Sequence, residues 1–229
     1  MFDIDSYAYG VWPVVLLNIG FVLVFVLGFL KPRAKREWRS LGVFAAWIVA
    51  LFTEMYGFPL TIYALTALLG RAYPAANPFS HMNGHLLVAL AGGSSVVWSL
   101  VMGLSMLLFL AAFVIMERGW RKIHAAQGPT LVTDGIYAYV RHPQYSGMFL
   151  LVLALLIQWP TIITLLMSPI LVIAYRRLAF REEAELEAQF GDAYRIYRGR
   201  TPAFLPNLPL MIRRWQKRAT HAQASQEGT

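Results

Sequence analysis

The sequence predicts an all-α, polytopic integral membrane protein with about five transmembrane helices and a cytoplasmic helix beside the membrane. Two observations predict this class. Of the 229 residues, 58% are hydrophobic and only 14% are charged, whereas soluble domains average roughly 45–50% and ~25%. The apolar residues also fall into runs comparable to the ~20 residues that cross a bilayer. The absence of cysteine further excludes a disulfide scaffold and thiolate chemistry.

We expect three N-terminal spans within residues 1–116, namely Val11–Leu30, Leu41–Leu69 and Ser94–Met116. Acidic residues precede the first run and basic residues follow it, which favours a retained span over a signal sequence. The second run carries Glu54 and is interrupted at Gly57-Phe58-Pro59. A proline beside a glycine predicts a kink or a short break there.

The last two apolar runs predict a tight helical hairpin over residues 143–175. At 14 and 15 residues they are short, and they meet at Trp159-Pro160. Proline suits the first position of a helix and keeps the preceding residue out of the helical conformation. We therefore expect the hairpin's first helix to begin at Pro143, with His142 close to its N-cap.

The basic residues indicate the orientation of the chain. All lysines and arginines except Arg71 lie in alternate loops, which share one side of the membrane if all five runs cross it. The positive-inside rule then places the N-terminus outside and the C-terminus in the cytoplasm, in a bacterial inner (plasma) membrane. Membrane lipids with anionic headgroups explain the net charge of +8 better than a nucleic-acid partner does.

The first polar motif that could carry chemistry is Arg141-His142-Pro143, at the start of the hairpin. A helix N-terminus presents free N–H groups and partial positive charge, which suit a carboxylate or a phosphate. Arg141 and His142 add side-chain donors to this site. A basic collar whose side chains reach lipid headgroups is the alternative interpretation.

The second polar motif is the pair Glu182-Glu183, after the hairpin. Leu186 and Phe190 mark the apolar face of a helix, and both carboxylates lie within about 60° of Leu186 at ~100° per residue. Two adjacent carboxylates therefore border a buried face. A solvated acidic face that pairs with nearby arginines is the alternative, and Gly191 predicts a stop or a bend.

The order and spacing of these motifs resemble the isoprenylcysteine carboxyl methyltransferase and phospholipid methyltransferase superfamily. This superfamily consists of integral membrane enzymes that use S-adenosylmethionine (SAM). The resemblance covers about residues 128–206. It is carried by Tyr137, Arg141, His142, Pro143, Tyr145, Gly147, Glu182, Glu183, Leu186, Phe190, Gly191, Tyr194, Tyr197, Leu205 and Pro206.

The resemblance implies a SAM pocket at the cytoplasmic ends of the last spans. Residues 117–209 would then form the cofactor-binding catalytic region, and residues 210–229 a basic, polar tail. His142 would contact the cofactor's carboxylate or adenine, and the two glutamates its amino and sulfonium end, a complementary set of charges. The implied cofactor-binding residues are Tyr137, His142, Pro143, Tyr145, Gly147, Glu182, Glu183 and Tyr197, and the implied catalytic residues are Arg141, Glu182 and Glu183.

The activity implied by the resemblance is isoprenylcysteine carboxyl O-methylation of a lipophilic or prenylated acceptor. Phospholipid N-methylation and small-thiol S-methylation are alternatives, and a non-enzymatic membrane binding or transport protein is the alternative from another class. Relatives often carry an arginine, thought to orient the acceptor, four residues before the first glutamate. Here that position is Leu178, and the adjacent Arg177 points about 180° away from Leu186.

Two further features are candidates for function. Glu54 is a carboxylate within an apolar span, where it lines an acceptor tunnel or is a neutral, hydrogen-bonded acid; with Arg177 it forms the candidate substrate set. His81 and His85 are four residues apart in a long loop. Asn83-Gly84 favours a turn there and no third ligand is evident, so we expect no metal and favour an ordered lid over the outer mouth.

Overall fold

The computed structural model describes residues 10–30, 35–69, 84–126 and 130–206, and within these ranges the fold is all-helical without strands, as predicted. The helices in this part of the chain are α1 (Trp12–Leu30), α2 (Lys35–Phe52), α3 (Leu60–Leu69), α4 (Leu86–Leu90), α5 (Ser95–Ala125), α6 (Pro143–Gln158), α7 (Ile162–Phe190) and α8 (Asp192–Arg200). A π-helical turn, Thr53–Gly57, follows α2, and a 3-10 turn, Gly135–Ala138, precedes α6.

Two of these helices, α5 and α7, are each long and apolar enough to cross a membrane. The segments Leu41–Gly57 and Leu60–Leu69 are bent by 70° and make a third span if they cross together. The interruption predicted at Gly57-Phe58-Pro59 is therefore confirmed. Along α5, α7 and the described part of α1, large apolar side chains face outward, as a lipid environment requires. The count of five crossings remains a prediction.

The core joins α2 to α7 and α5 to α6. Phe44, Trp47 and Leu51 of α2 are fully buried, as is Leu171 of α7. The indole N–H of Trp47 lies 3.0 Å from the backbone oxygen of Thr164 and also approaches the side chain of Ser168. Because these polar contacts lie inside an apolar interface, they fix the register of α2 against α7.

The C-terminal hairpin is present as predicted. α6 begins at Pro143 with His142 as its N-cap residue, and the turn before α7 contains Trp159 and Pro160. The side chain of Thr161 accepts from the backbone N–H of Thr164, and that of Thr164 accepts from the N–H of Thr161, so the two form a capping box. We call the end of the bundle with this turn the tip end, and the opposite end the site end.

One difference from the sequence prediction concerns the length of α7. We expected the hairpin to end near Tyr175 and a separate helix to carry the glutamate pair, but α7 runs unbroken to Phe190. The reason is that residues 176–190 contain good helix formers and neither glycine nor proline. Similarly, α5 continues to Ala125, past the end of the third predicted span at Met116. His81 and the tail at 210–229 lie outside the described residues.

Candidate functional site

The two polar motifs meet at the site end. Glu183 Oε1 lies 2.7 Å from Arg141 Nη2 and 2.9 Å from Arg141 Nε. The same oxygen lies 3.0 Å from His142 Nε2, while His142 Nδ1 lies 3.5 Å from Glu182 Oε2. The side chain of Glu183 is 5% exposed, whereas that of Glu182 is 32% exposed. The site is thus a buried ion-pair network with one carboxylate still open to a further partner.

The C-terminal segment after α8 holds this network in place. The backbone N–H groups of Arg141 and His142 donate to the carbonyls of Pro202 and Ala203, at 2.9 and 3.0 Å. Arg141 Nη1 also donates to the carbonyls of Arg198 and Thr201, at the end of α8. A cation is favourable at a helix C-terminus, so Arg141 links the start of α6, the glutamate on α7 and the end of α8.

Aromatic side chains surround the network. The hydroxyl of Tyr145 donates to Glu182 Oε1, and its ring stacks on His142 with centroids 5.7 Å apart. The hydroxyl of Tyr197 donates to the carbonyl of Tyr137 at 2.7 Å. Tyr145 is therefore engaged with a carboxylate, while Tyr137 and Tyr197 brace each other at the wall of a cleft.

This cleft has a volume of about 210 Å³, smaller than the roughly 300–1,000 Å³ of sites that enclose a drug-sized ligand. Arg141 and His142 contribute its charged wall, and the remaining lining is mainly aromatic and aliphatic. The lining residues are Ile123, Ala126, Thr130, Leu131, Val132, Tyr137, Arg141, His142, Leu186, Tyr194 and Tyr197. A space of this size and chemistry suits a flat, mostly apolar group such as a purine.

The ionisable groups at the site shift one another's pKa. Burial opposes protonation of His142, but the hydrogen bonds that its ring donates to Glu182 and Glu183 outweigh burial and raise its pKa above the ordinary value. Burial likewise disfavours the charged form of Glu183, which lies beyond the apolar part of α7. Its bonds to His142 and Arg141 prevail and lower its pKa. The network thus stabilises an imidazolium beside two carboxylates.

Two of the residues implied to bind cofactor, Pro143 and Gly147, lie where α5 and α6 cross. A Cβ on Gly147 would come within 2.4 Å of Met116 Cγ and 2.9 Å of the Ala112 carbonyl, and one on Gly119 would lie 3.0 Å from Pro143 Cγ. Such close contact of two helices requires small residues. The structure therefore gives Pro143 and Gly147 a packing position, and their contact with a cofactor stays a prediction.

The candidate substrate residues lie apart from the network. Glu54 is buried at the tip end, where its Oε2 accepts from the N–H of Thr61 at 2.8 Å. Thr61 Oγ1 in turn accepts from the N–H of Ile162, and Ile162 is about 31 Å along α7 from Glu183 at 1.5 Å per residue. Arg177 is exposed while Leu178 is buried, in agreement with the predicted directions.

His85, the other residue of the loop pair, is part of the packing at the tip end. Its Nδ1 lies 2.9 Å from the carbonyl of Gln158, and its ring meets that of Trp159 edge-on. Within the described ranges, no group of three metal-ligating side chains occurs. The predicted role of His85 in a lid over the outer mouth stays a prediction.

Sequence reasoning missed the part that residues 201–206 play at the site. Ser146, one turn into α6, donates to the carbonyl of Phe204 at 2.7 Å, and Thr201 is buried. The available signal was the pair of prolines, Pro202 and Pro206, which keeps a short segment extended after a helix. The contacts are made to backbone carbonyls, so no side-chain motif predicts them.

Comparison with known proteins identifies the family. A family model described as phospholipid methyltransferase matches residues 79–193, half of the chain, so the chain belongs to the phospholipid methyltransferase family. The resemblance drawn from the motifs is thereby confirmed. Together with the long apolar helices, this makes the chain an integral membrane protein.

Individual relatives carry a more specific name, protein-S-isoprenylcysteine O-methyltransferase. The relative from Schizosaccharomyces pombe is 44% identical over 80 residues, which cover 34% of this chain and 34% of the relative. Those from Xenopus laevis and Homo sapiens are 30% and 31% identical over 127 residues, covering 48% of this chain and 42% of each relative. The chain thus aligns with 34–42% of the length of these relatives.

Proposed function

We propose that this protein is a membrane-bound SAM-dependent methyltransferase of the isoprenylcysteine carboxyl O-methyltransferase type. The observation that carries the proposal is the network of Arg141, His142, Glu182 and Glu183 beside an aromatic cleft, at one end of two long apolar helices. The names of the relatives support the same activity. The acceptor is a lipophilic or prenylated molecule that reaches the site from the membrane.

The donor set at the site fits SAM. The cleft would hold the adenine against the wall that Tyr137 and Tyr197 form, and Glu182 would bind the ammonium group. Glu182 suits this role because its side chain is 32% exposed and already oriented by Tyr145. The Oε1 atom of Glu183 already accepts from Arg141 and His142, so we assign Glu183 to positioning His142. When bound, SAM would supply the methyl group: the acceptor forms a bond to the methyl carbon while the carbon–sulfur bond breaks, and the demethylated product leaves.

The ionic state of the site favours a carboxylate as the acceptor. A carboxylate is already deprotonated at neutral pH, so its methylation needs alignment and exclusion of water but no base. Both nitrogens of His142 face glutamates, an arrangement that suits His142 to holding the two carboxylates in position. Methylation of an amine or a thiol would additionally require a proton acceptor.

Calorimetry on the detergent-purified protein tests the cofactor assignment. We expect saturable binding of SAM and of its demethylated product, weakened about tenfold or more in Glu182→Gln, since a charge-assisted hydrogen bond contributes roughly 1.5–3 kcal/mol. Glu185→Gln is the matched control, because Glu185 is exposed on the same helix. Glu183→Gln should instead lower thermal stability as well as affinity.

Two results would contradict the proposal. If the folded wild type binds neither ligand, the protein is not a SAM-dependent enzyme, and the non-enzymatic interpretation replaces it. If Glu182→Gln binds as tightly as Glu185→Gln, SAM binding stands but the role of Glu182 does not. Methyl transfer is then measured with labelled SAM against farnesylcysteine, phospholipids and small thiols.

A further inference from the structure

Two tyrosines near the glutamate network, Tyr194 in the cleft wall and Tyr175 outside the cleft, have buried hydroxyls that lack a hydrogen-bond partner among the described residues. Tyr175 is the one of the two that lies within the apolar part of α7. Its side chain is 1% exposed, and its hydroxyl has no hydrogen-bond partner among the described residues. By contrast, the hydroxyls of Tyr137, Tyr145 and Tyr197 are all hydrogen-bonded. Burying a hydroxyl without a hydrogen-bond partner is unfavourable, so phenylalanine would be the more stable residue at this position if packing were its only role.

The position of Tyr175 places this hydroxyl on the membrane side of the site. Tyr175 and Glu182 are seven residues apart on α7, which puts them on the same face and about 10 Å apart along the axis. The ring of Tyr175 meets the ring of Tyr145 edge-on, with centroids 5.4 Å apart, and Tyr145 donates to Glu182. A chain of contacts therefore runs from the network to Tyr175.

The surroundings of Tyr175 are apolar and close to lipid. The ring belongs to the same buried cluster as Met148 and Leu178. One turn earlier on α7, Val172 is 42% exposed and faces outward. A molecule that enters from the bilayer beside α7 would thus meet the Tyr175 hydroxyl before it reaches Glu182.

We propose that Tyr175 is an acceptor-binding residue, whose hydroxyl donates a hydrogen bond to the polar head of the methyl acceptor. This inference rests on the proposed function and adds the residue that selects the acceptor. The site offers a neutral phenol at this position and Leu178 one turn further on, so the acceptor's head is bound by a hydrogen bond within an apolar wall. An amphiphile with a carboxylate or carbonyl next to an apolar chain has this chemistry.

Tyr175→Phe tests the inference because it removes one atom and keeps the ring. With farnesylcysteine as the probe and labelled SAM as donor, we expect KM for farnesylcysteine to rise about tenfold or more, as for one lost hydrogen bond to a charged group. The Kd for SAM should change by less than about twofold. The melting temperature without acceptor should not fall, because the hydroxyl bonds none of the described residues. Tyr63→Phe, at the tip end, is the matched control.

A second measurement reports binding without turnover. With the demethylated cofactor product bound, farnesylcysteine should raise the melting temperature of the wild type and of Tyr63→Phe, but raise that of Tyr175→Phe much less. If Tyr175→Phe keeps the wild-type KM and the wild-type shift while the wild type is active, the inference is wrong and the proposed function stands. If the wild type neither binds SAM nor methylates or responds to farnesylcysteine, the proposed function fails and this inference fails with it.

Discussion

Arg141 belongs to a motif that implies a catalytic role, but its guanidinium makes several hydrogen bonds within the protein. Its Nε and Nη2 atoms bond Glu183, and its Nη1 atom bonds two carbonyls at the end of α8. The planar guanidinium supplies several donors in fixed directions, so one side chain connects three elements. Arg141 therefore maintains the shape of the site and lines the cleft, and its catalytic role stays a prediction.

The titration of His142 gives a prediction at the residue scale. Because its pKa is raised in the folded protein, its stabilising effect is complete below about pH 6.5 and is lost as the pH rises through the raised pKa. We therefore expect the melting temperature of the wild type to exceed that of His142→Gln most at about pH 5–6.5, with a difference that shrinks as the pH rises above this range. A difference that stays constant as the pH rises above about 6.5 would show that His142 is neutral in the folded state.

Part of this residue-level arrangement follows from the sequence. A proline after His142 was enough to place the histidine at a helix N-cap, and helical spacing put both glutamates beside a buried face. The ion pair of Arg141 with Glu183 was not predictable, because 42 positions separate the two residues. Only the packing of α6 against α7 decides which carboxylate pairs with Arg141 and which stays partly exposed.

At the scale of elements, the crossing of α5 and α6 determines where the site forms. α6 carries His142 and Tyr145 at its start, and it lies against α5 at Gly147. A side chain there would push the helices apart and displace the start of α6 from α7. Helix packing alone therefore accounts for a glycine at this position of the family motif, and contact of Gly147 with a cofactor stays a prediction.

Gly147→Ala should lower stability and activity together. Its Cβ would lie 2.9 Å from the Ala112 carbonyl, a backbone atom that moves only with the helix, and overpacking of this kind costs typically 1–3 kcal/mol. Gly103→Ala on α5 is the control, since nothing lies within 4 Å of a Cβ there and alanine is the better helix former. We expect a lower melting temperature for Gly147→Ala and an equal or higher one for Gly103→Ala. Equal behaviour of the two variants would mean that the helices do not meet closely at Gly147.

The elements themselves differ in how far the sequence predicts them. The break at Gly57-Phe58-Pro59 and the bend at Gly191 follow from residues with special backbone preferences. The continuity of α7 past Tyr175 could also be anticipated. The residues after Tyr175 are less apolar than those before it, but they favour a helix equally well. The contact of residues 201–206 with α6 could not, since it depends on backbone carbonyls that every sequence provides.

At the scale of the whole molecule, the two ends of the bundle have different tasks. At the tip end, Glu54 and Thr61 join α3 to α7, and His85 packs against Trp159. The ion-pair network lies at the other end, about 31 Å away along α7. A long helix that is anchored at one end holds Glu182 and Glu183 at a fixed depth, so the tip end supports the site from a distance. Contact of Glu54 with a substrate stays a prediction.

We propose that the site end faces the cytoplasm and that the chain crosses the membrane five times, with its N-terminus outside. The sequence contains no cysteine, so Ser6→Cys and Ser225→Cys each introduce a single thiol. In intact spheroplasts, a membrane-impermeant maleimide should label Ser6→Cys but should label Ser225→Cys only after permeabilisation, because an odd number of crossings separates the two ends. Labelling of both thiols from the same side would require an even number of crossings. In that case α6 and α7 would still lie side by side, but the basic residues would no longer all face the cytoplasm, and the positive-inside argument would fail for this chain.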